Sequence, residues 1–292
     1  MILVTGATGN AGSQVVRALR ERGSKVRAFV RDPGKARNLF GDEVELAVGD
    51  FADARSVRRA VEGVEAMLLS CADDPRRVEW EASAIDAAAA ARVARIAKLS
   101  TIGAEPGAPV AFWDWHGRVE EHLSASGVPA VVLQSSFYMS NLFAAAAQVA
   151  TEGRLYAPAG RARVAMIDPR DVGAAAAAVL VGGGEDGQTY VLTGPAAITW
   201  SEIAADLSAA TGRGVEFVDV PAEGAKQGMI TDGVPEFVAE QVITIFAMLR
   251  HGVAEHVTSS VEALTGAQPR TFADFAREHA HFFESPAFQS RG

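Results

Sequence analysis

Apolar and polar positions alternate along this chain between two patterns, short apolar runs and helical stripes. Ile2 to Val4 is wholly apolar, then glycines stand at positions 6, 9 and 12. Val15, Val16 and Leu19 follow at helical spacing among polar Gln14, Arg17 and Arg20. Lys25 to Val30 predicts a second strand, Val44 to Val48 a third and Ala66 to Ser70 a fourth. Helices are expected near 34–40 and 53–62, where Val57, Ala60, Val61 and Val64 keep the period. An alanine-rich helix near 76–91 leads to a fifth strand near 93–100. A helix near 113–126 ends at Gly127 as a C-cap, and Pro129 to Leu133 predicts a sixth strand. Strands alternating with helices imply an α/β fold, a Rossmann-like doubly wound parallel sheet with right-handed crossovers.

Past residue 134 the pattern changes. It predicts a helix over 137–150, a loop at Tyr156 to Gly160, a strand from Arg163 to Ile167 and a helix opened by Asp168-Pro-Arg-Asp171 that runs through Leu180. Gln188 to Thr193 reads as a strand. The rest is mostly helical, with one strand near Val215 to Val220. A sheet domain over 1–194 is therefore expected, with 134–162 contributing to a cleft. A smaller, mostly helical C-terminal substrate subdomain over 195–292 would cap the sheet's carboxyl edge. The strands near 163–167 and 189–193 are candidates to return to the main sheet. Ser285 onward reads as a loose end.

Composition narrows the setting. With 292 residues, 49% hydrophobic and 22% charged, the chain can bury a full core. No apolar run approaches the roughly 20 residues of a membrane span, and a strand from residue 2 leaves no room for a signal peptide. Cys71 is the single cysteine, which excludes an internal disulfide and fits a reducing, cytoplasmic compartment. A net charge of −9 argues against nucleic acid and membrane surfaces as partners. The six histidines show no metal-ligand spacing, so no metal is expected. Oligomeric state is not legible.

Strand, glycine turn and helix in succession point to a dinucleotide phosphate site. Gly6 allows the tight turn, Gly9 lets the backbone approach a pyrophosphate, and Gly12 lets the helix pack close; Thr8 and Asn10 complete the turn. The second strand ends Val30-Arg31-Asp32, so Val30 stands where NAD users place an acid. Arg31 and Lys35 suit a 2′-phosphate, which makes NADP(H) the preferred cofactor with NAD(H) as the alternative. Asp32 would pair with Arg31 or accept a ribose hydroxyl. Asp50 and Phe51 follow the third strand and are candidates for the adenine, while Asp53 reads as a helix N-cap. Ser70 and Cys71 end the fourth strand where the nicotinamide ribose should lie. With no cationic activator apparent, Cys71 reads as a small packing residue rather than a nucleophile.

These residues carry a resemblance. Val4 to Gly12, Val30-Arg31-Asp32 and Gly49-Asp50-Phe51 resemble the NmrA-like atypical short-chain dehydrogenase/reductase family. So do Leu99 to Gly103, His116 to Glu121, Ser126-Gly127, Phe137 with Asn141, and Asp168 to Gly173. The match runs through most of the first 195 residues. The resemblance implies kinship with NADPH-dependent quinone reductases, azoreductase-like and isoflavone-reductase-like enzymes, redox-sensing regulators and tailoring enzymes of aromatic polyketides.

One departure matters. Short-chain reductases use a Tyr-x-x-x-Lys pair, and alignment on Gly117 to Glu120 puts Phe112 at the tyrosine and His116 at the lysine. None of the three tyrosines has a lysine four residues on. Hydride addition to a ketone yields an alkoxide about as basic as hydroxide, whose parent acid has a pKa of about 15.7, so a positioned acid is needed. Addition to a quinone yields a phenolate-like oxyanion with a pKa of about 10, which solvent or one histidine can protonate. An already electrophilic acceptor is favoured.

Phe112, Trp113 and Trp115 beside His116, with Phe137, Tyr138 and Phe143 after the sixth strand, would stack on a small planar aromatic substrate; their alternative is packing of helix on sheet. His116 is the candidate catalytic residue, orienting or protonating a substrate oxygen. Its alternative is a surface pair with Glu120. Ser100 and Thr101 would bond substrate or carboxamide, or cap a loop, and Ser136 would line the nicotinamide. Gln134 stands where relatives often carry arginine. The leading expectation is an NADPH-dependent reductase of a quinone or planar aromatic by direct hydride transfer. A non-catalytic NAD(P)-binding redox sensor and a monooxygenase-type enzyme tailoring an aromatic polyketide are the alternatives.

Overall fold

Ile2–Val4 forms β1, three buried residues inside a seven-stranded sheet. The computed structural model describes residues 1–284. After β1 come α1 (Asn10–Glu21), β2 (Val26–Val30), α2 (Pro33–Phe40), β3 (Glu45–Val48), α3 (Ala54–Val61), β4 (Ala66–Leu69), α4 (Arg77–Ala90), β5 (Arg95–Thr101), α5 (Ala111–Ala125) and β6 (Ala130–Ser135). The chain continues through α6 (Ala146–Glu152), β7 (Arg154–Ala157), β8 (Arg163–Val164), α7 (Pro169–Leu180), β9 (Thr189–Leu192), β10 (Ile198–Thr199), α8 (Trp200–Thr211) and β11 (Glu216–Asp219). It ends in α9 (Ala222–Thr231), α10 (Glu236–Arg250), α11 (Ser260–Thr265), α12 (Phe272–Glu278) and α13 (Ala280–Glu284).

Strand order in the sheet is β3-β2-β1-β4-β5-β6-β9, and each pairing is parallel. Strands covered on both faces need apolar side chains in both directions, which explains the unalternating runs of β1 and β4. Strand order reverses between β1 and β4, the place where doubly wound sheets open a ligand crevice at the carboxyl ends. The core beneath is built from Leu3, Met67, Leu69, Ile85, Ile96 and Leu123. α1 packs against α7, where Gly173 presses on Gln14 so closely that a Cβ would stand 2.6 Å from it.

The chain divides into two units. The first holds Met1–Ser135, Pro169–Leu192 and Ser259–Ala267, and so contains the whole seven-stranded sheet. The second holds Ser136–Asp168, Thr193–Thr258 and, of the described residues, 268–284. In it β7 pairs in parallel with β11 and β8 pairs antiparallel with β10, beside α8, α12 and α13.

Several boundaries differ from the sequence reading. β9 joins the main sheet beside β6, but the segment 163–167 does not. Only Arg163–Val164 is strand, against Ile198–Thr199, because Ala165 and Ile167 give their N–H groups to Ala254 (2.8 Å) and Phe137 (2.9 Å). The helix expected over 137–150 opens as a 3-10 turn over Met139–Ala145, since pairing of Tyr138 with Ile167 holds the preceding backbone extended. Tyr156 and Ala157, expected in a loop, belong to β7 and pair with Val218 and Asp219. Thr193–Thr258 falls in the second unit but 259–267 returns to the first, so the expected break at 194/195 is interleaved further. Ser285 onward lies outside the described residues. Among those described, no helix is long and apolar enough to cross a membrane.

Candidate active site

The turn between β1 and α1 is fixed by Thr5. Its Oγ1 accepts from the Ser70 N–H at 2.9 Å and shares its own hydrogen between the Leu68 and Ser70 carbonyls, each 2.9 Å away. The carboxyl ends of β1 and β4 are thereby latched together, a role the sequence reading missed. Gly6 has φ +62°, and a Cβ there would lie 2.8 Å from the Ser70 carbonyl oxygen. A Cβ on Gly12 would overlap the Gly6 carbonyl. Gly9 is the N-cap of α1 and brings no side chain to it, and the first turn holds no acid. Gly9 and Asn10 are exposed and Thr8 is half-buried. The exposed positive end of a helix, approached by bare backbone, fits a pyrophosphate.

At the end of β2, Asp32 caps α2 by accepting from the N–H groups of Gly34 (2.8 Å) and Lys35 (3.1 Å). It makes no pair with Arg31. Among the described residues the exposed side chains of Arg31 and Lys35 have no ion pair or hydrogen bond, which leaves two cations for a 2′-phosphate. After β3, Asp50 Oδ1 accepts from Ala52 N–H at 2.8 Å, and Asp53 caps α3 through Arg55 N–H at 3.0 Å. Phe51 is half-buried and meets Phe29 edge-on at 5.5 Å. Gly49 is required there, since a Cβ would stand 2.5 Å from the Phe29 ring.

The carboxyl ends of β4, β5 and β6 carry a buried charged network. Lys98 of β5 pairs with Glu81 of α4, Nζ to Oε2 2.9 Å, with neither side chain exposed. Nζ also donates to the Leu99 carbonyl at 2.6 Å. His116 of α5 lies alongside, its Nδ1 3.2 Å from Lys98 Nζ and 3.3 Å from Ser100 Oγ. Arg77 of α4 meets the other ring nitrogen, Nε2, and also donates to the Cys71 carbonyl. Ser100 donates to Glu120, whose carboxylate accepts from Gln134 Nε2 at 3.1 Å.

Burial, reinforced by Lys98 and Arg77, holds His116 well below its usual pKa, so the ring is neutral near pH 7. Arg77 can only donate, so Nε2 accepts; the ring hydrogen is then on Nδ1 and goes to Ser100 Oγ, and Lys98 Nζ approaches that nitrogen without a hydrogen bond to it. Burial lowers Lys98, only partly offset by Glu81. Burial opposes the charge on Arg77, but Glu81, Cys71 and Asp73 outweigh it and raise its pKa. Burial lifts Glu120 above the usual carboxylate range despite its bonds to Ser100 and Gln134.

These facts revise two expectations for His116. It is not poised as an acid toward substrate, because both nitrogens are engaged inside and the ring is neutral. Nor does it pair with Glu120 on the surface, since Ser100 lies between them. Arg77, Glu81 and Lys98 were missed, although a lysine inside the apolar run Ile96 to Leu99 was a visible signal. Cys71 does have a cation nearby in Arg77. Burial, helped by Glu81, nevertheless pushes its thiol up to about 12, which keeps it protonated and unreactive.

The aromatic residues divide. Trp113 is buried, its ring pressed on Gly103, where a Cβ would stand 2.5 Å away. Its expected place in a substrate pocket is corrected to core packing. Phe112 and Trp115 are half-buried and paired edge-on at 5.5 Å. In the second unit, Phe137 meets Trp200 at 6.1 Å, and Trp200 meets Phe246 at 5.3 Å. Tyr138 is half-buried at its bridge to Ile167. Phe143 packs among Phe282 (4.7 Å), Phe275 (5.5 Å), His279 (5.5 Å) and Phe283 (5.9 Å), so its expected substrate contact is replaced by helix packing. Ser136 holds a buried hydroxyl with no hydrogen-bond partner among the described residues, one residue past β6, which suits a carboxamide. No metal-binding cluster of three or more His, Cys, Asp or Glu occurs among the described residues.

Known proteins share this architecture. A NAD(P)H azoreductase of Xenophilus azovorans is 38% identical over 283 residues, covering 97% of this chain and 99% of that protein. A (4-alkanoyl-5-oxo-2,5-dihydrofuran-3-yl)methyl phosphate reductase of Streptomyces griseus is 36% identical over 284 residues, with 97% and 99% covered. The crystal structure of an NADPH-dependent quinone oxidoreductase from Escherichia coli, solved with NADPH, superposes with a TM-score of 0.87 at 28% identity, covering 95% of this chain and 99% of that one. Residues 1–276 match the NmrA-like family as a whole. With its glycine turn, its sheet order and these relatives in agreement, the chain belongs to the NmrA-like family.

Proposed function

We propose that this protein is an NADPH-dependent reductase of conjugated, electrophilic acceptors, quinones and related planar aromatics foremost. One observation carries the reading. A dinucleotide cradle is present, while Phe112 offers no proton at the tyrosine position and His116 is a neutral ring engaged on both sides. An acceptor that yields a weakly basic oxyanion on reduction needs no stronger acid. The relatives named as azo, dihydrofuranone and quinone reductases support the same class.

When bound, NADPH supplies the hydride. Gly6, Thr8, Gly9, Asn10 and Gly12 hold its pyrophosphate on α1, and Arg31 with Lys35 holds the 2′-phosphate. Asp50 and Phe51 take the adenine. In the first unit Ser70, Cys71 and Ser100 line the nicotinamide half; in the second, the buried Ser136 Oγ, which lacks a partner among the described residues, is a candidate for the carboxamide. Phe112 and Trp115 in the first unit, and separately Phe137 and Tyr138 in the second, are the candidate flat surfaces for an acceptor. The test is NADPH oxidation followed at fixed enzyme against a panel of naphthoquinones, anthraquinones and azo dyes. Acceptor-dependent oxidation, with NADPH preferred over NADH, is expected. A complete panel that leaves NADPH untouched overturns the proposal.

A further inference from the structure

A continuous set of polar contacts crosses the carboxyl ends of three neighbouring strands. It starts at the Cys71 carbonyl after β4 and runs through Arg77, His116, Ser100 and Glu120 to Gln134, which pairs with Ser100 across β5 and β6. Arg77 is 4% exposed and His116 9%, so neither reaches out to a ligand by itself. They act through the backbone they hold. Arg77 ties down the segment after β4 by its bond to the Cys71 carbonyl and its 3.3 Å approach to Asp73. The same segment is fastened by Arg77 N–H to the Asp74 carbonyl at 2.8 Å and by Arg76 N–H to Asp74 Oδ1 at 2.8 Å.

His116 stands between two cations, Arg77 on Nε2 and Lys98 on Nδ1. The one fully buried carboxylate nearby, Glu81, is already paired with Lys98. A neutral imidazole satisfies this place because it accepts on one nitrogen and donates on the other. A lysine at 116 has donors only, and it would add a third positive charge where a single buried carboxylate is available.

We propose that Arg77 and His116 are positioning residues, setting the segment after β4 and Ser100 for the nicotinamide half of the cofactor, and that this pair of positions holds one cation only. Phe112 and His116 are then parts of a different arrangement rather than a Tyr–Lys pair with its parts lost: the cation comes from α4, and position 116 must stay neutral. The proposal rests on the reading that NADPH binds at these strand ends, but not on turnover.

Two measurements decide it. Thermal unfolding is compared for wild type, H116K and R77M/H116K. H116K is expected to melt about 10 °C lower, as an unpaired buried charge costs, and R77M/H116K to regain at least about half of that loss. Binding of NADPH and of 2′,5′-ADP to wild type and R77M is then measured by titration. R77M is expected to weaken NADPH about tenfold while changing 2′,5′-ADP by less than about twofold, because the adenine half is held elsewhere. The proposal is overturned if H116K melts with wild type or if R77M/H116K is no better than H116K, including failure of both to fold. It is also overturned if R77M weakens both nucleotides alike or neither. Absence of acceptor reduction with NADPH still bound would remove the proposed activity and leave this arrangement standing.

Discussion

Lys98 and Glu81 form an ion pair with no solvent contact on either side, Nζ to Oε2 2.9 Å, at the centre of the network that underlies the strand ends. Removing one partner strands a buried charge, and such losses cost about 3–5 kcal/mol. K98M and E81L should each lower the melting temperature by roughly 10 °C. The double variant K98M/E81L should recover most of that loss, since desolvating both charges already consumed much of their attraction. Melting curves of the three variants check this, and a double variant as unstable as the sum of the singles would contradict it.

Gly12 is the tightest glycine of the phosphate turn. A Cβ there overlaps the Gly6 carbonyl, and Gly6 is held in place by the 2.9 Å bond from Gly9 N–H. Backbone on both sides cannot yield cheaply. G12A should therefore weaken NADPH binding by at least about tenfold. Gly224, in α9 with nothing within 4 Å of its Cβ position, is the control, and G224A should bind NADPH as wild type and gain about 0.5–1 kcal/mol in stability. Isothermal titration of both variants separates a local steric effect from a general sensitivity to substitution.

Cofactor preference should follow the division of labour at the end of β2. Asp32 is spent on capping α2, whereas Arg31 and Lys35 are not engaged by protein among the described residues. R31A/K35A should raise the KM for NADPH roughly 10–100-fold and leave that for NADH within about twofold. D32A should cost about 1 kcal/mol of stability, as a lost N-cap does, without reversing the preference. A variant R31A/K35A that still discriminates against NADH would show that the 2′-phosphate is read elsewhere.

The sheet was legible in sequence because parallel strands are short apolar runs between helical stripes, and those two periods differ. The glycine turn, the Asp53 cap and the strand from 189 to 192 were legible for similarly local reasons. Trp113 and Phe143 were not. Their neighbours are Gly103 in a turn and Phe275 to Phe283 more than a hundred residues on, and no local period tells a ring in a pocket from a ring in a core. The network around His116 was hidden for the same reason. Arg77 and Glu81 lie far from it along the chain and each alone reads as a solvated charge, while Lys98 inside its apolar run signals burial but not its partners.

The neutral state of His116 makes stability depend on pH. The groups facing the ring are Arg77 from α4 and Lys98 and Ser100 from β5; behind them Glu81 of α4 pairs with that lysine, and Glu120, one turn further along α5, bonds to that serine. Burial and the two cations keep the folded ring unprotonated well below the ordinary histidine pKa of about 6.5. The unfolded chain binds that proton as pH falls through about 6.5, the folded chain does not, and folding loses stability from there downward. Glu120 acts in the opposite sense, because its raised carboxyl pKa makes the folded state bind a proton before the unfolded one. His116 is buried between two cations whereas Glu120 is only half-buried, so the melting temperature should fall between pH 7 and pH 5.5. H116Q, which can accept from Arg77 and donate to Ser100 without titrating, should flatten that fall even if its absolute stability is lower. Parallel slopes for wild type and H116Q over this range would mean that the ring titrates normally and that the two cations are not closed around it.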